Sequence, residues 1–286
     1  MDRVVGRVAA RHARCPFTQD QPSPIVGRKA EGVTPPSGFC DSGHEENREP
    51  GGQPIPRFAT FRDMCGRYGF GNPARLGSLP FETPFPTLTA RYNIAPSSEV
   101  PLIRHTKRGR DAVLARWGLV PYWASDPSIG HRLANARGDT MAVKPAFREA
   151  YRQRRGLMPA DLFYEWQVMD GMKVKQPWCV RLPDDEPFAF GAIWERWKPR
   201  DDAGAEPLIT CAIITTEPNA VMAPIHDRMP VIVAPSDYDA WLDSSTPFAV
   251  VQSLVRPYRG PMLAWPISTR VNSPRSDDVE CVAPLA

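Results

Sequence analysis

Phe188-Ala189-Phe190-Gly191-Ala192-Ile193-Trp194, followed by Leu208-Ile209-Thr210-Cys211-Ala212-Ile213-Ile214-Thr215, decides the fold class. Both are short apolar runs bounded by turn-forming residues, the texture of β-strands. Working outward, Trp178–Leu182, Ala112–Trp117 and Met229–Ala234 repeat it. Between the runs lie segments that predict short helices. Thr140–Arg154 carries Met141, Pro145, Phe147 and Tyr151 among basic residues. Asn219–Met222 predicts a single turn. Ser236 is a suitable N-cap for Asp237–Leu242, with Asp237 and Asp239 in its first turn, and Ser244–Pro247 ends that helix. No internal repeat or internal linker follows Met64. The expectation is an α+β fold: a curved, mostly antiparallel β-sheet or open barrel with short flanking helices.

Composition narrows the class further. The 286 residues are 42% hydrophobic, and 35 basic against 32 acidic side chains leave a formal charge of +3. That is too mild to mark a nucleic-acid surface, which would have to come from clustering. No apolar run approaches the ~18 residues of a membrane span. Six scattered cysteines with no CxxC pair predict neither a metal site nor a disulfide framework. No cofactor is expected, and the cytoplasm is the expected compartment. A monomer is the default.

Residues 1–63 read differently from the rest. They hold eight prolines and seven glycines, nine basic and eight acidic residues, and neither Trp nor Tyr. Such a stretch offers too little apolar surface to offset the entropy of ordering it. It is expected to be a disordered extension, arising from a mis-assigned start or removed from the working protein. The Arg-rich opening Met1–Arg14 resembles a weak transit helix, but Asp2 and the Glu45-Glu46 pair oppose that reading. The domain is expected over 64–286.

Met64-Cys65-Gly66-Arg67-Tyr68 becomes chemically specific when read as a beginning. Removal of Met64 leaves Cys65 with a free α-amine beside its thiol. An α-amine titrates near 7.7–8.0 and a thiol near 8.5, against about 10.4 for lysine, so both are partly nucleophilic near neutrality. An aldehyde meeting this pair forms an imine and closes to a five-membered thiazolidine. As an internal residue, Cys65 reads instead as a small buried hydrophobe in a strand.

Further motifs follow in order: Arg91-Tyr92-Asn93-Ile94-Ala95-Pro96, Arg116-Trp117-Gly118-Leu119-Val120-Pro121-Tyr122-Trp123, Asn135-Ala136-Arg137, Phe163-Tyr164-Glu165-Trp166 and Ile225-His226-Asp227-Arg228-Met229-Pro230. With the Cys-Gly-Arg-Tyr opening, this series resembles the SRAP family, the SOS-response-associated proteins of bacteria and their eukaryotic relative. Trp265-Pro266-Ile267-Ser268 and Val271-Asn272 fit as well.

The resemblance implies an abasic-site processing protein that binds single-stranded DNA. Cys65 would crosslink to the aldehyde of the opened abasic sugar, with lyase chemistry if ring closure is diverted. It implies that Glu165 holds the Cys65 ammonium and accepts its proton, that His226 is the acid/base for sugar-ring opening, and that Asn135 orients the substrate. Arg67, Arg137 and Arg228 would bind the flanking phosphates, with Pro96 and Trp123 on the DNA surface. Read alone, Glu165 is an exposed strand residue, His226 a surface turn and Asn135 a turn former; Trp117 reads as core. His105 and His131 read as solvated. Two alternatives stand beside this one: a cysteine (auto)peptidase using Cys65 and His226, and a non-catalytic reader of modified DNA. The 63 residues ahead of Met64 depart from the family pattern, because a peptide-bonded Cys65 has no α-amine.

Overall fold

The computed structural model of the chain describes residues 66–76, 79, 87–202 and 204–285. The extension 1–63, the expected nucleophile Cys65 and the proline-rich segment 81–86 lie outside them. In chain order the elements are β1 (Arg67–Phe70), α1 (Pro73–Leu76), β2 (Arg91–Ile94), β3 (Glu99–Thr106), β4 (Gly109–Trp117), β5 (Asn135–Arg137), α2 (Arg148–Gln153), β6 (Arg155–Ala160), β7 (Leu162–Gln167), β8 (Gln176–Arg181), β9 (Phe188–Trp197), β10 (Leu208–Thr216), β11 (Met229–Pro230), β12 (Ile232–Val233), α3 (Tyr238–Leu242), α4 (Phe248–Leu254) and β13 (Leu263–Pro266).

The expected α+β class holds. One sheet has five strands in the order β13-β8-β7-β1-β2. In the other, β10, β4, β3, β6 and β9 are linked in sequence, and β9 pairs back onto β10 over Leu208↔Trp197 to Ile213↔Ala192. That last pairing closes a five-stranded barrel, so its strands have no free edge. Pairings are antiparallel except where β10 runs parallel to β4 and to β5.

The alternation of side chains explains why Phe188–Trp194 of β9 and Cys211–Ile214 of β10 are apolar throughout. Phe188, Phe190, Ala192 and Trp194 of β9 join Cys211 and Ile213 of β10 in a core shared with Tyr68, Phe163 and Val180 of the five-stranded sheet. Their neighbours Ala189, Ile193, Ala212 and Ile214 point the other way, against Tyr151, Tyr238, Trp241 and Val251. The barrel wall is thus covered on both faces, which removes any polar alternation.

Two local expectations are corrected. The helix expected over Thr140–Arg154 exists only from Arg148; residues 139–147 form successive turns, and Pro145 has no N–H for a helical ladder. Ser236 does not cap α3: it sits inside a single 3-10 turn, Pro235–Asp237, and no side chain caps the helix that follows.

The C-terminal segment ties down the opposite end of the domain. The Arg67 guanidinium donates to Val271 O at 2.7 Å and Asn272 O at 3.1 Å. Asn93 Nδ2 donates to the carbonyls of Val271, Ser273 and Ser276 at 3.1, 2.9 and 2.6 Å. The Asp277 carboxylate accepts from the backbone N–H groups of Tyr92 and Asn93 and pairs with Arg91.

Candidate functional site

The first half of the site is built where β4 ends. Gly118 has φ of +135°, and a Cβ there would lie 2.6 Å from Gly130 O. Only glycine permits this approach, which seats the 3-10 turn Pro127–Arg132 against the barrel. From that turn the chain runs into β5. Ala134 O accepts from the Trp117 indole at 2.9 Å and from Ile213 N at 3.0 Å. β5 then lies beside β10 with Asn135 opposite Ile213 and Arg137 opposite Thr215.

The result is a cavity of about 500 Å³ whose lining includes Gly66, Pro96, Trp123, Asn135 and Arg137. His131, Arg132 and Lys144 complete its cationic wall, and among the described residues no acidic side chain lines it. Trp123 is 39% exposed at the edge, whereas Trp117 is fully buried, as the sequence reading had it. Trp166 is half-buried and donates its indole N–H to Asn272 Oδ1 at 2.7 Å.

The second half comes from β7 and the loop after β10. β1 and β7 pair with Arg67 opposite Tyr164 and Tyr68 opposite Phe163; one step along the same register lie Gly66 and Glu165. Glu165 is only 1% exposed, so it is not the exposed strand residue that its sequence alone suggests. Gln167, two residues on, donates to Pro224 O at 2.8 Å and so joins β7 to the His226 loop.

His226 Nδ1 accepts from Arg228 N at 3.1 Å and lies 3.0 Å from Asp227 Oδ1. Burial holds its pKa below 6.5 against the opposing pull of Asp227. The Arg228 N–H bond to Nδ1 favours the neutral ring with its proton on Nε2, while Asp227, 3.0 Å from the same nitrogen, favours the protonated ring.

Arg137 and Arg228 converge on one carboxylate. Arg137 donates to Asp139 through Nε at 3.2 Å and Nη2 at 2.7 Å, and Arg228 Nη1 lies 3.6 Å from Asp139 Oδ2. The Arg137 hydrogen bond, above all, holds the Asp139 pKa down at about 2. Arg228 is 8% exposed, donates from Nη2 to Thr215 O at 2.8 Å, and has a buried Nε without a hydrogen-bond partner among the described residues.

Arg67 is placed differently from Arg137. Like Arg228 it is buried and absent from the cavity lining, and its guanidinium is committed to Asn93 and to the Val271 and Asn272 carbonyls.

Sequence reasoning missed Arg132 and Lys144, and read His131, which also lines the cavity, as solvated. His131 is exposed, and its Nδ1 lies 2.8 Å from Ser97 Oγ at the cavity's edge. The signal available was the His131-Arg132 pair just ahead of Asn135-Ala136-Arg137. The remaining described thiols offer no competing nucleophile: Cys179, Cys211 and Cys281 are buried, and burial raises all three pKa values, that of Cys179 to about 12. Among the described residues no group of three or more His, Cys, Asp or Glu is placed to hold a metal, and no helix is long and apolar enough to cross a membrane.

Fold and site together define an α+β protein in which a closed barrel packs on a sheet and presents a cationic, aromatic-edged cleft. The chain belongs to the SOS response associated peptidase (SRAP) family, whose profile matches residues 64–274. It is 40% identical over 193 residues to the abasic site processing protein YoqW of Bacillus subtilis, covering 67% of this chain and 84% of that protein. It is 32% identical over 226 residues to the abasic site processing protein HMCES of Gallus gallus, covering 68% and 66%. A crystal structure of a Bacteroides thetaiotaomicron protein superposes with a TM-score of 0.61 at 28% identity, over 68% of this chain and 85% of that one.

Proposed function

We propose that the domain over 64–286 binds single-stranded DNA at an abasic site and bonds covalently to the opened sugar through Cys65, once residues 1–64 no longer block its amine. The observation that carries this reading is the cavity itself: Gly66, the residue bonded to Cys65, forms part of a wall rich in cations and, among the described residues, free of carboxylates. Such a wall suits a polyanion, and a cleft edged by Trp123 suits an unpaired strand. The names of the relatives and the start of the family match at residue 64 support the same reading.

The chemistry runs in balanced steps. The Cys65 amine attacks the open-chain aldehyde to give a carbinolamine, which loses water to give an imine. The thiol sulfur then adds to the imine carbon, its proton passes to nitrogen, and the thiazolidine closes. Glu165, the residue after Tyr164, which pairs with Arg67 in the β1–β7 register, receives the ammonium proton in this reading. His226 presents its Nε2–H to the sugar ring oxygen as that ring opens, and its bond to Arg228 N fixes the orientation. Asn135 orients the sugar. Arg137 and Arg228 take the flanking phosphates, Pro96 and Trp123 take the neighbouring nucleotide, and Arg67, whose guanidinium is already held by Asn93 and two carbonyls, is the weakest of the three arginines for direct phosphate contact.

The test uses protein that begins at Cys65, incubated with an oligonucleotide carrying one abasic site. A covalent adduct should survive a denaturing gel and vanish with Cys65→Ala. An adduct of equal yield from protein that retains residue 64 joined to Cys65 would overturn the thiazolidine mechanism.

A further inference from the structure

Arg137 is, like Arg132, an exposed arginine of the site, yet its guanidinium is already engaged. Among the described residues its side-chain partner is Asp139, which takes both Nε and Nη2 in the forked geometry that arginine offers to carboxylates and phosphates alike. The same carboxylate faces Arg228 at 3.6 Å. Two acidic neighbours belong to the same surroundings: the 87%-exposed Asp227 acts on Arg137, and Glu217, which accepts from Thr216 Oγ1 at 2.7 Å, acts on Arg228. Only Asp139 engages an arginine of the pair by hydrogen bonds.

The pair is a poor structural brace. The side chains of Arg137 and Asp139 are 52% and 46% exposed, and ion pairs in water add little to a fold. Arg228, by contrast, is already pinned to Thr215 O at 2.8 Å and does not depend on Asp139 for its place. What Asp139 does fix is the occupancy of the Arg137 fork.

We propose that Asp139 is an internal stand-in for a DNA phosphate: it occupies the Arg137 fork, must yield when a strand binds, and thereby sets how weakly the site holds undamaged DNA. This rests on the single-stranded DNA reading given above. The consequence is a threshold. A strand with an intact sugar gains phosphate contacts only after breaking the Arg137–Asp139 pair, whereas a strand with an abasic site is retained by the covalent step.

The experiment measures binding of an undamaged single-stranded oligonucleotide across a salt series, in the protein beginning at Cys65. Asp139→Asn should tighten binding roughly 1.5- to fivefold at low salt, the order expected from releasing an exposed ion pair. It should also steepen the dependence of log K on log salt by up to ~0.7, one further phosphate contact on a single strand. Asp139→Glu, which keeps the charge, should stay near wild type. In an Arg137→Gln background Asp139→Asn should tighten binding far less. A merely structural role would weaken binding and lower Tm without steepening the salt slope, and that result overturns the proposal. So does tightening that persists at full size without Arg137, because it would reflect net charge alone. Wild-type protein that fails to bind the strand at any salt would sink the DNA reading itself, whereas normal wild-type binding with an unchanged Asp139→Asn sinks only this proposal.

Discussion

Trp117 and Trp123 stand six positions apart in one motif, and truncating each to alanine should damage different properties. Trp117 is fully buried, packs edge-on to Tyr68 with ring centroids 5.4 Å apart, and donates to Ala134 O at 2.9 Å. Trp117→Ala leaves a large void in the shared core and should cost about 3–5 kcal/mol of stability. For a domain of this size that lowers Tm by roughly 6–20 °C. Trp123 is 39% exposed, and its carbonyl, which accepts from Arg200 at 2.7 Å, survives substitution. Trp123→Ala should leave Tm within about a degree or two, because surface changes seldom exceed ~0.5 kcal/mol. It should remove base stacking of ~1–3 kcal/mol, weakening single-stranded DNA binding roughly 5- to 150-fold. The salt slope should not change, since an indole contacts no phosphate charge. Thermal melts and fluorescence anisotropy over a salt series read both variants. If Trp123→Ala melts as early as Trp117→Ala, or binds DNA like wild type, the assignment of one ring to the core and the other to the DNA surface is wrong.

Gly118→Ala forces a side chain onto φ of +135° and 2.6 Å from Gly130 O, so it should cost at least ~1–3 kcal/mol, visible as a lower urea midpoint, and should also weaken DNA binding by displacing the turn that leads to Asn135. His226 should make stability depend on pH in one direction. Its folded pKa is depressed, so the unfolded chain binds the proton more readily; the stability this neutral ring contributes is present above about 6.5 and is lost as pH falls below that value. Urea titrations at pH 7.5 and 5.5 should show a larger drop for wild type than for His226→Gln, and equal drops would contradict the burial argument.

The strands that the sequence revealed include β4, β9 and β10 of the barrel wall and β8 of the five-stranded sheet. Phe188–Trp194 in β9 and Cys211–Ile214 in β10 are apolar at every step because both their faces are covered, a pattern that needs no tertiary knowledge to see. β3 escaped notice because Pro101, Arg104 and His105 interrupt it, although Val100, Leu102 and Ile103 are fully buried. β1 is four residues long and owes its place to pairing with β2 and β7. The site was legible as motifs but not as a shape. Asn135 and Arg137 could be singled out from their neighbours, yet the inclusion of Arg132 and Lys144 in the same wall, and the burial of Arg67 away from it, depend on how β5 docks on β10 and how the C-terminal segment folds back. Contacts made over two hundred positions of sequence leave no local signature.

That fold-back has a consequence for how the domain can be handled. Arg67 sits immediately after Gly66, and the carbonyls that grip it belong to Val271 and Asn272, close to the far end of the domain. Head and tail are therefore a single joint. Clipping the polypeptide ahead of residue 271 would spare every described cavity-lining side chain and still unmoor β1, the strand into which Gly66 leads from the cavity wall.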